Sequence, residues 1–343
     1  MLDIALRNVS FTYPKGRFTL RVNDLLFAKS THTAIAGPPG CGASTLLKLI
    51  AGELRPDSGD VIAGARVLNA IKPARRPFLV VSSALDVPQR WSVQHALIAA
   101  VRTRTLDRID RHHEYELAIS KWGLGDALER RVGTLSTSEQ MQLHLARIEL
   151  LKPGVLIADR LLANANSATR DALADELYRT LRVMGATVIS APSSRDELAL
   201  TDQIVVLDGG NVVQSGSAAD VFANPVNEAA ALATGAVNAV PVTIRGSLVA
   251  SPIGEWEVEE PSFEGDGVAL ARPDDFAVAV AGEESDFVFS IEEAGFHEGR
   301  WLARGFLSGS LSLRVALPRG TNVHKGRLLP LRYDPKRFRL LPR

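Results

Sequence analysis

The sequence predicts an α/β domain with a parallel-sheet core, followed by a small all-β domain. Three observations lead to this prediction. Through the first part of the chain, short apolar runs typical of buried strands alternate with stretches of helical periodicity. One of these strands leads through a glycine-rich turn into a helix, within 33–52. From Val240 onward, short β-like runs alternate with glycine turns instead.

Composition narrows the function classes before any motif is considered. Thirty-nine Lys+Arg against 39 Asp+Glu in 343 residues give zero net charge, so composition makes no case for nucleic-acid binding. The single cysteine excludes an internal disulfide and suits a reducing compartment. The first residues lack a signal-peptide pattern, and no apolar run approaches the roughly 20 residues that span a bilayer. We expect a soluble protein that works at a membrane only through a partner.

The elements around the glycine-rich turn follow from local pattern. Residues 2–6 and 17–22 carry apolar and β-branched side chains typical of strands, and 33–36 form the strand that feeds the turn. A helix is predicted over 44–52. Gly52 at its end and Pro56 beyond it are the residues that stop it.

Helical periodicity dominates the middle of the first domain, at about 93–150, and predicts a helical subdomain there. Ahead of it, the short apolar run 78–81 predicts a fully buried strand. The last helix of the subdomain starts near Ser136. Its apolar face comprises Met141, Leu145, Ile148 and Leu151.

Further strands and one more helix complete the first domain. Residues 155–158 predict a buried strand ending at Asp159, and 186–190 and 204–207 predict two more. A helix lies between the strands predicted at 155–158 and 186–190. Its apolar face comprises Leu173, Leu177 and Leu181. Ligands of such sheets bind beyond the carboxyl ends of the strands, which is where the glycine-rich turn and Asp159 fall.

The last part of the chain predicts an all-β, barrel-like module. We place the boundary within 235–241, which gives domains 1–235 and 236–343. The β-like runs are 248–250, 256–258, 268–270, 287–289, 311–313 and 328–331.

The glycine-rich turn has the spacing of a phosphate-binding loop. Glycines let the backbone approach a phosphate closely, and successive N–H groups at a helix N-terminus attract anions. The pattern G-x-x-x-x-G-K-[ST] is complete except that Ala43 replaces its lysine. The expected nucleotide contacts in this loop are Gly37, Pro38, Gly40, Cys41, Gly42, Ala43, Ser44 and Thr45.

Asp159 is the second candidate site residue. An aspartate at the end of a buried strand is the usual partner of the Mg²⁺ that a phosphate-loop hydroxyl holds, and Ser44 supplies that hydroxyl here. Taken alone, Asp159 fits better a residue that caps a turn.

A third segment adds a family resemblance. Residues 132–140, V-G-T-L-S-T-S-E-Q, precede a helix containing Ala146-Arg147 and resemble the signature segment of ABC-transporter ATPases, whose core is Leu-Ser-Gly-Gly-Gln. The resemblance extends over most of the chain, and its C-terminal part resembles the β domain of importer subunits. The further similar segments are 51–59, 202–210, 221–225, 271–276 and 331–335.

The resemblance implies a P-loop NTPase domain of the ABC type, with a helical subdomain, and an OB- or TOBE-like domain behind it. It implies ATP and Mg²⁺ as ligands, Tyr13 as the aromatic residue that stacks on adenine, and Ser136 as a phosphate contact. Implied partners are a second ABC ATPase subunit, transmembrane permease subunits and, indirectly, an extracytoplasmic solute-binding protein. The implied location is cytoplasmic, peripheral on the inner face of the cytoplasmic membrane. Importers of this kind carry sugars, polyols, iron, sulfate, molybdate or polyamines.

Several positions depart from the family pattern. Ala43 stands at the lysine position, Arg160 at that of the glutamate that polarises water, and Ser193 at that of the switch histidine. Thr137 and Ser138 replace the two signature glycines, and Ser82 and Ser83 stand where a glutamine is expected. No catalytic residue of the pattern is therefore intact, and these losses together predict a subunit that hydrolyses ATP inefficiently.

Three interpretations remain open. The first is a catalytically degenerate ATP-binding subunit that pairs with a more standard ATPase and acts mainly as a scaffold or regulator. The second is an active ATPase homodimer in which Arg160 or Arg195 replaces the missing charge. The third is an interaction module that retains only the fold and binds no nucleotide.

Overall fold

The computed structural model describes residues 2–14, 16, 18–235, 237–279, 284–297, 300–307 and 311–343. Arg17, the first residue of one predicted strand, and Ala236, the predicted start of the second domain, lie outside the described residues. The chain forms two compact units, Met1–Ala218 and Ala219–Arg343. In the described part of the chain, no helix is long and apolar enough to cross a membrane.

Within its described residues, the first unit forms ten strands and five α-helices that lie wholly inside it. The strands are β1 Ile4–Thr12, β2 Thr19–Phe27, β3 His32–Ala36, β4 Ser58–Ala63, β5 Arg66–Val67, β6 Leu79–Ser82, β7 Val155–Asp159, β8 Thr187–Ala191, β9 Gln203–Asp208 and β10 Asn211–Ser217. The helices are α1 Ala43–Ala51, α2 Val93–Val101, α3 Arg108–Trp122, α4 Thr137–Leu151 and α5 Ser167–Val183.

All ten strands belong to one mixed sheet, in the order β5-β4-β1-β2-β10-β9-β3-β8-β7-β6. The five strands from β9 to β6 are mutually parallel, and the strands β1, β2, β4 and β5 pair in antiparallel fashion. The predicted parallel core is therefore confirmed, with an antiparallel extension beside it. Parallel pairing brings the carboxyl ends of β3, β6, β7 and β8 to the same edge of the sheet.

Two hydrophobic cores lie on the two faces of the parallel strands, and β7 contributes to both because successive side chains point to opposite faces. Val155 and Ile157 pack in the core that contains α1, whereas Leu156 and Ala158 pack in the core that contains α2, α3 and α4. Each fully buried leucine contributes about 1.5–3 kcal/mol relative to exposure. Both faces around β7 are thus held firmly, which fixes the position of its last residue.

The run 78–81 is not the fully buried strand that its apolar sequence predicts. It forms β6, which lies at the end of the sheet and pairs only with β7 among the named strands. Val81 is buried, but Val80 is 42% exposed. An edge strand has one neighbour instead of two, so its outer side stays open to solvent.

The second unit is an antiparallel β region with two short helices, α6 Ala218–Ala223 and α7 Glu228–Thr234. Its two five-stranded sheets have the orders β13-β12-β11-β14-β20 and β15-β19-β16-β17-β18, and side chains of both share one core. The strands are β11 Asn238–Arg245, β12 Leu248–Ser251, β13 Gly254–Glu257, β14 Gly265–Ala271, β15 Phe276–Val278, β16 Phe287–His297, β17 Arg300–Leu307, β18 Leu311–Leu317, β19 Leu328–Tyr333 and β20 Arg339–Pro342.

The second unit starts earlier than the predicted boundary near residue 235, because α7 and most of α6 belong to it. Arg272 of the β region donates hydrogen bonds to the backbone carbonyls of Phe222 and Ala231 and to the Thr234 hydroxyl. Its guanidinium also lies 4.6 Å from the ring centroid of Phe222. These contacts tie the helical segment to the β region.

Candidate functional site

The glycine-rich loop joins β3 to α1, and its shape requires glycine. A Cβ atom on Gly37 would lie 2.1 Å from the carbonyl oxygen of Leu207, which is too close for any side chain. Gly42 is the residue before α1 and has φ +109°, and a Cβ there would lie 2.7 Å from the Phe18 ring. The loop is closed further by the Gly210 N–H, which donates to the Cys41 carbonyl at 3.1 Å.

The N-terminus of α1 opens at this loop. The first N–H groups of a helix have no carbonyl partner within the helix, and the helix dipole gives them a partial positive charge. The first turn of α1 contains no acidic residue, and none of the side chains that the structure describes caps it. Ala43, the first residue of α1, adds no charge of its own. The loop therefore attracts an anion through its backbone alone.

Ser44 and Asp159 meet at this edge of the sheet, as predicted. The Ser44 hydroxyl donates to Asp159 Oδ1 at 3.1 Å, although the two residues lie 115 positions apart. Asp159 ends β7 and is held there by pairing with Ala191 on one side and Ser82 on the other. The hydroxyl and the carboxylate thus form a polar pair beside the phosphate loop.

Arg160 follows directly and turns back toward the same carboxylate. Its backbone is left-handed, with φ +48°, and its N–H donates to the Ala191 carbonyl at 2.9 Å. Its Nε lies 3.7 Å from Asp159 Oδ1, the oxygen that also accepts from Ser44. The Arg160 side chain is 68% exposed, so it remains accessible to a ligand.

Tyr13 contacts the first turn of α1. Its hydroxyl is hydrogen-bonded with the Thr45 hydroxyl at 3.3 Å, and its ring packs edge to face on Phe11 at a centroid distance of 4.9 Å. Tyr13 and Thr45 are thus brought together with the loop residues. Stacking of Tyr13 on a base stays a prediction.

Cys41 of this loop packs in the hydrophobic core that contains α1. Its side chain is buried, and burial raises the pKa of the thiol, so the reactive thiolate is disfavoured. Pro38 shapes the same turn, since its carbonyl accepts from the Cys41 N–H at 3.0 Å.

The loop after β8, which contains Ser193, is held by a buried carboxylate that sequence reasoning did not single out. Glu197 Oε1 accepts from the Ser193 N–H at 2.9 Å and from the Ser194 N–H at 3.2 Å. Glu197 is only 2% exposed, and this burial raises the pKa of its carboxyl, which the two N–H donors partly offset. The Ser193 hydroxyl is itself buried and has no hydrogen-bond partner within the described residues.

A buried polar cluster supports Glu197 from behind. The Tyr178 hydroxyl donates to Glu197 Oε2 at 3.4 Å, and the Tyr178 ring packs on His32 at 4.2 Å. His32 Nε2 is hydrogen-bonded with the Ser190 hydroxyl at 2.8 Å, and burial lowers the pKa of His32 to about 4. These residues lie on four elements, and His32 is 158 positions from its partner Ser190, so no local pattern reveals the cluster.

Ser136 is the N-cap of α4 in this single chain. Its hydroxyl accepts from the Glu139 N–H at 3.3 Å, and its own N–H donates to Glu139 Oε2 at 2.7 Å, which makes a reciprocal capping box. Within the described residues, its hydrogen bonds run to its own helix. The structure therefore does not bring Ser136 to the phosphate loop of the same chain.

A groove of about 510 Å³ borders the site along the open edge of β6. It is lined by α1, β6, the segment after β6 and α4, and it reaches Asp159. Arg147 of α4 lines it and donates to the Asp86 carbonyl at 3.3 Å.

Comparison with known proteins agrees with this geometry. Residues 20–162 match the family model described as ABC transporter. The chain is 32% identical over 270 residues to the Fe(3+) ions import ATP-binding protein FbpC of Streptomyces avermitilis, covering 78% of each chain. The chain belongs to the ABC transporter family.

Other ABC proteins support the same assignment. The sn-glycerol-3-phosphate import ATP-binding protein UgpC of Rhodopseudomonas palustris is 29% identical over 282 residues, covering 81% of this chain and 75% of that protein. The structure of cbiO1 from Clostridium perfringens has a TM-score of 0.56 at 21% identity, over 64% of this chain and 90% of that one. The dimeric post-hydrolysis structure of the cassette MJ0796 with ADP and Pi has a TM-score of 0.54 at 18% identity, over 63% of this chain and 98% of that one. These structures show that the folds agree.

ABC ATPases bind ATP, generally with Mg²⁺, and this chain offers that metal an incomplete site. A hydroxyl and a carboxylate are the oxygen ligands that Mg²⁺ prefers. Asp159 Oδ1, however, already accepts from Ser44 and lies beside the Arg160 guanidinium. The residues around Ser44 and Asp159 thus fit a divalent cation poorly.

Proposed function

We propose that this ABC protein is the ATP-binding subunit of an importer and that it hydrolyses ATP slowly or not at all. One observation carries the proposal. The phosphate loop and the Ser44–Asp159 pair are present. Next to this pair, however, Arg160 places a cation, and Ala43 leaves the loop without the positive charge of a lysine. The site is therefore built for holding a nucleotide but not for cleaving it.

Nucleotide binding is supported by the geometry of the loop. Glycines at positions where a Cβ would collide keep the backbone open, and the uncapped N-terminus of α1 faces the same space. Tyr13 beside Thr45 offers an aromatic surface for the base. We place ATP on Tyr13, the loop and the first turn of α1.

Slow hydrolysis is supported by charge. Phosphoryl transfer is accelerated by fixed cations where negative charge develops and by a group that orients the attacking water. Ala43 supplies no cation, and Arg160 can accept no proton from water because a guanidinium stays protonated. Ser193 is turned inward, and its buried hydroxyl is unavailable to a ligand.

The importer role and the partners rest on the named relatives. FbpC is named for import of Fe(3+) ions and UgpC for sn-glycerol-3-phosphate, so we propose import of a small solute without choosing between such classes. The chain would act on the inner face of the cytoplasmic membrane through permease subunits, which we expect to contact the groove beside β6. Because both its phosphate loop and its signature segment are altered, we propose that it pairs with a more standard ATPase subunit.

Steady-state hydrolysis by the purified chain tests the proposal. We expect turnover at least about a hundredfold below that of the variant Ala43→Lys, Arg160→Glu, because a stabilising cation or a positioned base each contributes 10²-fold or more. Wild-type turnover that equals or exceeds that of the double variant would overturn the proposal.

A second candidate, an active homodimer with altered chemistry, is favoured by the position of Arg160 beside Asp159. The single variant Ala43→Lys separates the two. Under the first proposal it raises ATP affinity about tenfold or more, because it restores a charge-assisted contact. Under the second it changes affinity little, since Arg160 already supplies the charge.

A further inference from the structure

The backbone position of Arg160 is determined by the fold. Its N–H is hydrogen-bonded to the Ala191 carbonyl at 2.9 Å, and its left-handed φ of +48° reverses the chain immediately after β7. A non-glycine residue in this region carries a conformational cost. The side chain consequently returns to Asp159, and its Nε lies 3.7 Å from Oδ1.

This arrangement puts a positive charge where a divalent cation would be expected. Asp159 Oδ1 accepts from the Ser44 hydroxyl at 3.1 Å and lies 3.7 Å from Arg160 Nε, so one carboxylate oxygen of the expected metal site already faces two protein groups. A metal ion bound there would stand close to a guanidinium, and like charges repel.

We propose that Arg160 replaces the divalent cation at this site, so that the chain binds a nucleoside triphosphate without metal. The inference rests on the proposed nucleotide site. A guanidinium is always protonated, and its planar set of donors matches two phosphate oxygens at once. The exposed head of Arg160 is accessible to a polyphosphate chain lying on the backbone N–H groups of the loop.

Equilibrium binding with and without metal tests this inference on the full-length chain. The probe is N-methylanthraniloyl ATP followed by fluorescence, with unlabelled ATP as competitor, in excess Mg²⁺ and in excess EDTA. For the wild type, we expect dissociation constants that differ by less than about threefold between the two conditions, because the loop and Arg160 supply the attraction.

Three variants locate the effect. In EDTA, Arg160→Ala is expected to bind about tenfold more weakly or worse, because a charge-assisted contact is lost, and to recover affinity when Mg²⁺ is added. Arg160→Lys keeps the charge and should retain binding in EDTA. The matched control is Arg66→Ala, which removes an exposed arginine from β5 at the opposite end of the same sheet.

The outcomes separate this inference from the proposed function. No binding of either nucleotide, in Mg²⁺ or in EDTA, would overturn the nucleotide site and with it the proposed function. Wild-type binding that requires Mg²⁺ and is unaffected by Arg160→Ala would overturn only the role of Arg160. Metal-independent binding that Arg160→Ala abolishes and Arg66→Ala preserves would support it.

Discussion

At the scale of single residues, Ala43 and Arg160 change the charge around the Ser44–Asp159 pair in opposite directions. The first leaves the phosphate loop without a cation, and the second places a cation at the end of β7. A cation in this second position attracts phosphate, but it cannot orient a water molecule by accepting its proton. Affinity for nucleotide and the rate of its cleavage are therefore separable properties of this site.

His144 gives the fold a dependence on pH. It lies in α4 and is 4% exposed, and burial, together with nearby Arg147, lowers its pKa to about 4. Folding favours the neutral form of His144. The stability that this gives is therefore fully present above the ordinary histidine pKa of 6.5, and it is lost as the pH falls toward 4. The difference between 6.5 and about 4 corresponds to about 3 kcal/mol.

We therefore expect the wild type to lose about 3 kcal/mol more unfolding free energy than His144→Leu between pH 7 and pH 4. Urea denaturation at a series of pH values measures this difference. His113→Leu, which replaces an exposed imidazole on α3, is the matched control. Parallel pH profiles for the wild type and His144→Leu would refute the assignment.

Candidate residues can be predicted where the chemistry is local in sequence. The glycine loop and Ser44 follow from a strand, a turn and a helix in succession, and Asp159 follows from its place at the end of a buried strand; their binding of nucleotide stays a prediction. Glu197 and His32 were missed. Glu197 binds the N–H groups of nearby Ser193 and Ser194, but its burial cannot be read from sequence, and His32 gains its role through Ser190, 158 positions away. The contact between Arg160 and Asp159 likewise depends on a backbone conformation that sequence does not reveal.

At the scale of elements, one arginine fixes the end of the phosphate-loop helix. Arg76 is buried, and its guanidinium donates to the carbonyls of Leu49 and Ile50 in the last turn of α1. It donates also to the carbonyls of Leu68 and Ile71 in the segment after β5. A cation at a helix C-terminus is favoured by the dipole and satisfies carbonyls that lack a helical partner.

Arg76→Ala is expected to destabilise the first unit by about 3 kcal/mol, because four buried or half-buried carbonyls lose a charged donor. Arg75→Ala, at the exposed neighbouring position, should stay within about 0.5 kcal/mol of the wild type. Thermal or urea unfolding of the two variants provides the comparison. Equal stability of Arg76→Ala and Arg75→Ala would contradict this role.

Two apolar runs that look alike in sequence form different kinds of strand. The strand at 155–159 is apolar because it is covered on both faces, whereas the run 78–81 is equally apolar but forms the edge strand β6. Apolar sequence thus does not distinguish a central strand from an edge strand, because position in the sheet depends on long-range pairing.

At the scale of the whole molecule, the α/β domain and the all-β region are confirmed, and the ABC transporter family accounts for both. The division between the two units lies before α7, because Arg272 ties the helical segment to the β region through contacts that composition does not reveal. On the proposed function, substrate choice belongs largely to partner proteins, and we therefore expect this chain's sequence to point to a class of transporter and not to one solute.

The central claim is that the chain holds ATP without cleaving it, and a single-turnover measurement tests it most directly. Protein in excess over radiolabelled ATP is incubated under conditions in which binding has been demonstrated, and bound nucleotide is analysed over time. We predict that the bound ATP remains intact over many minutes, while Ala43→Lys, Arg160→Glu converts it to ADP. Conversion by the wild type at about 1 s⁻¹ or faster, a rate typical of enzymes, would contradict the account.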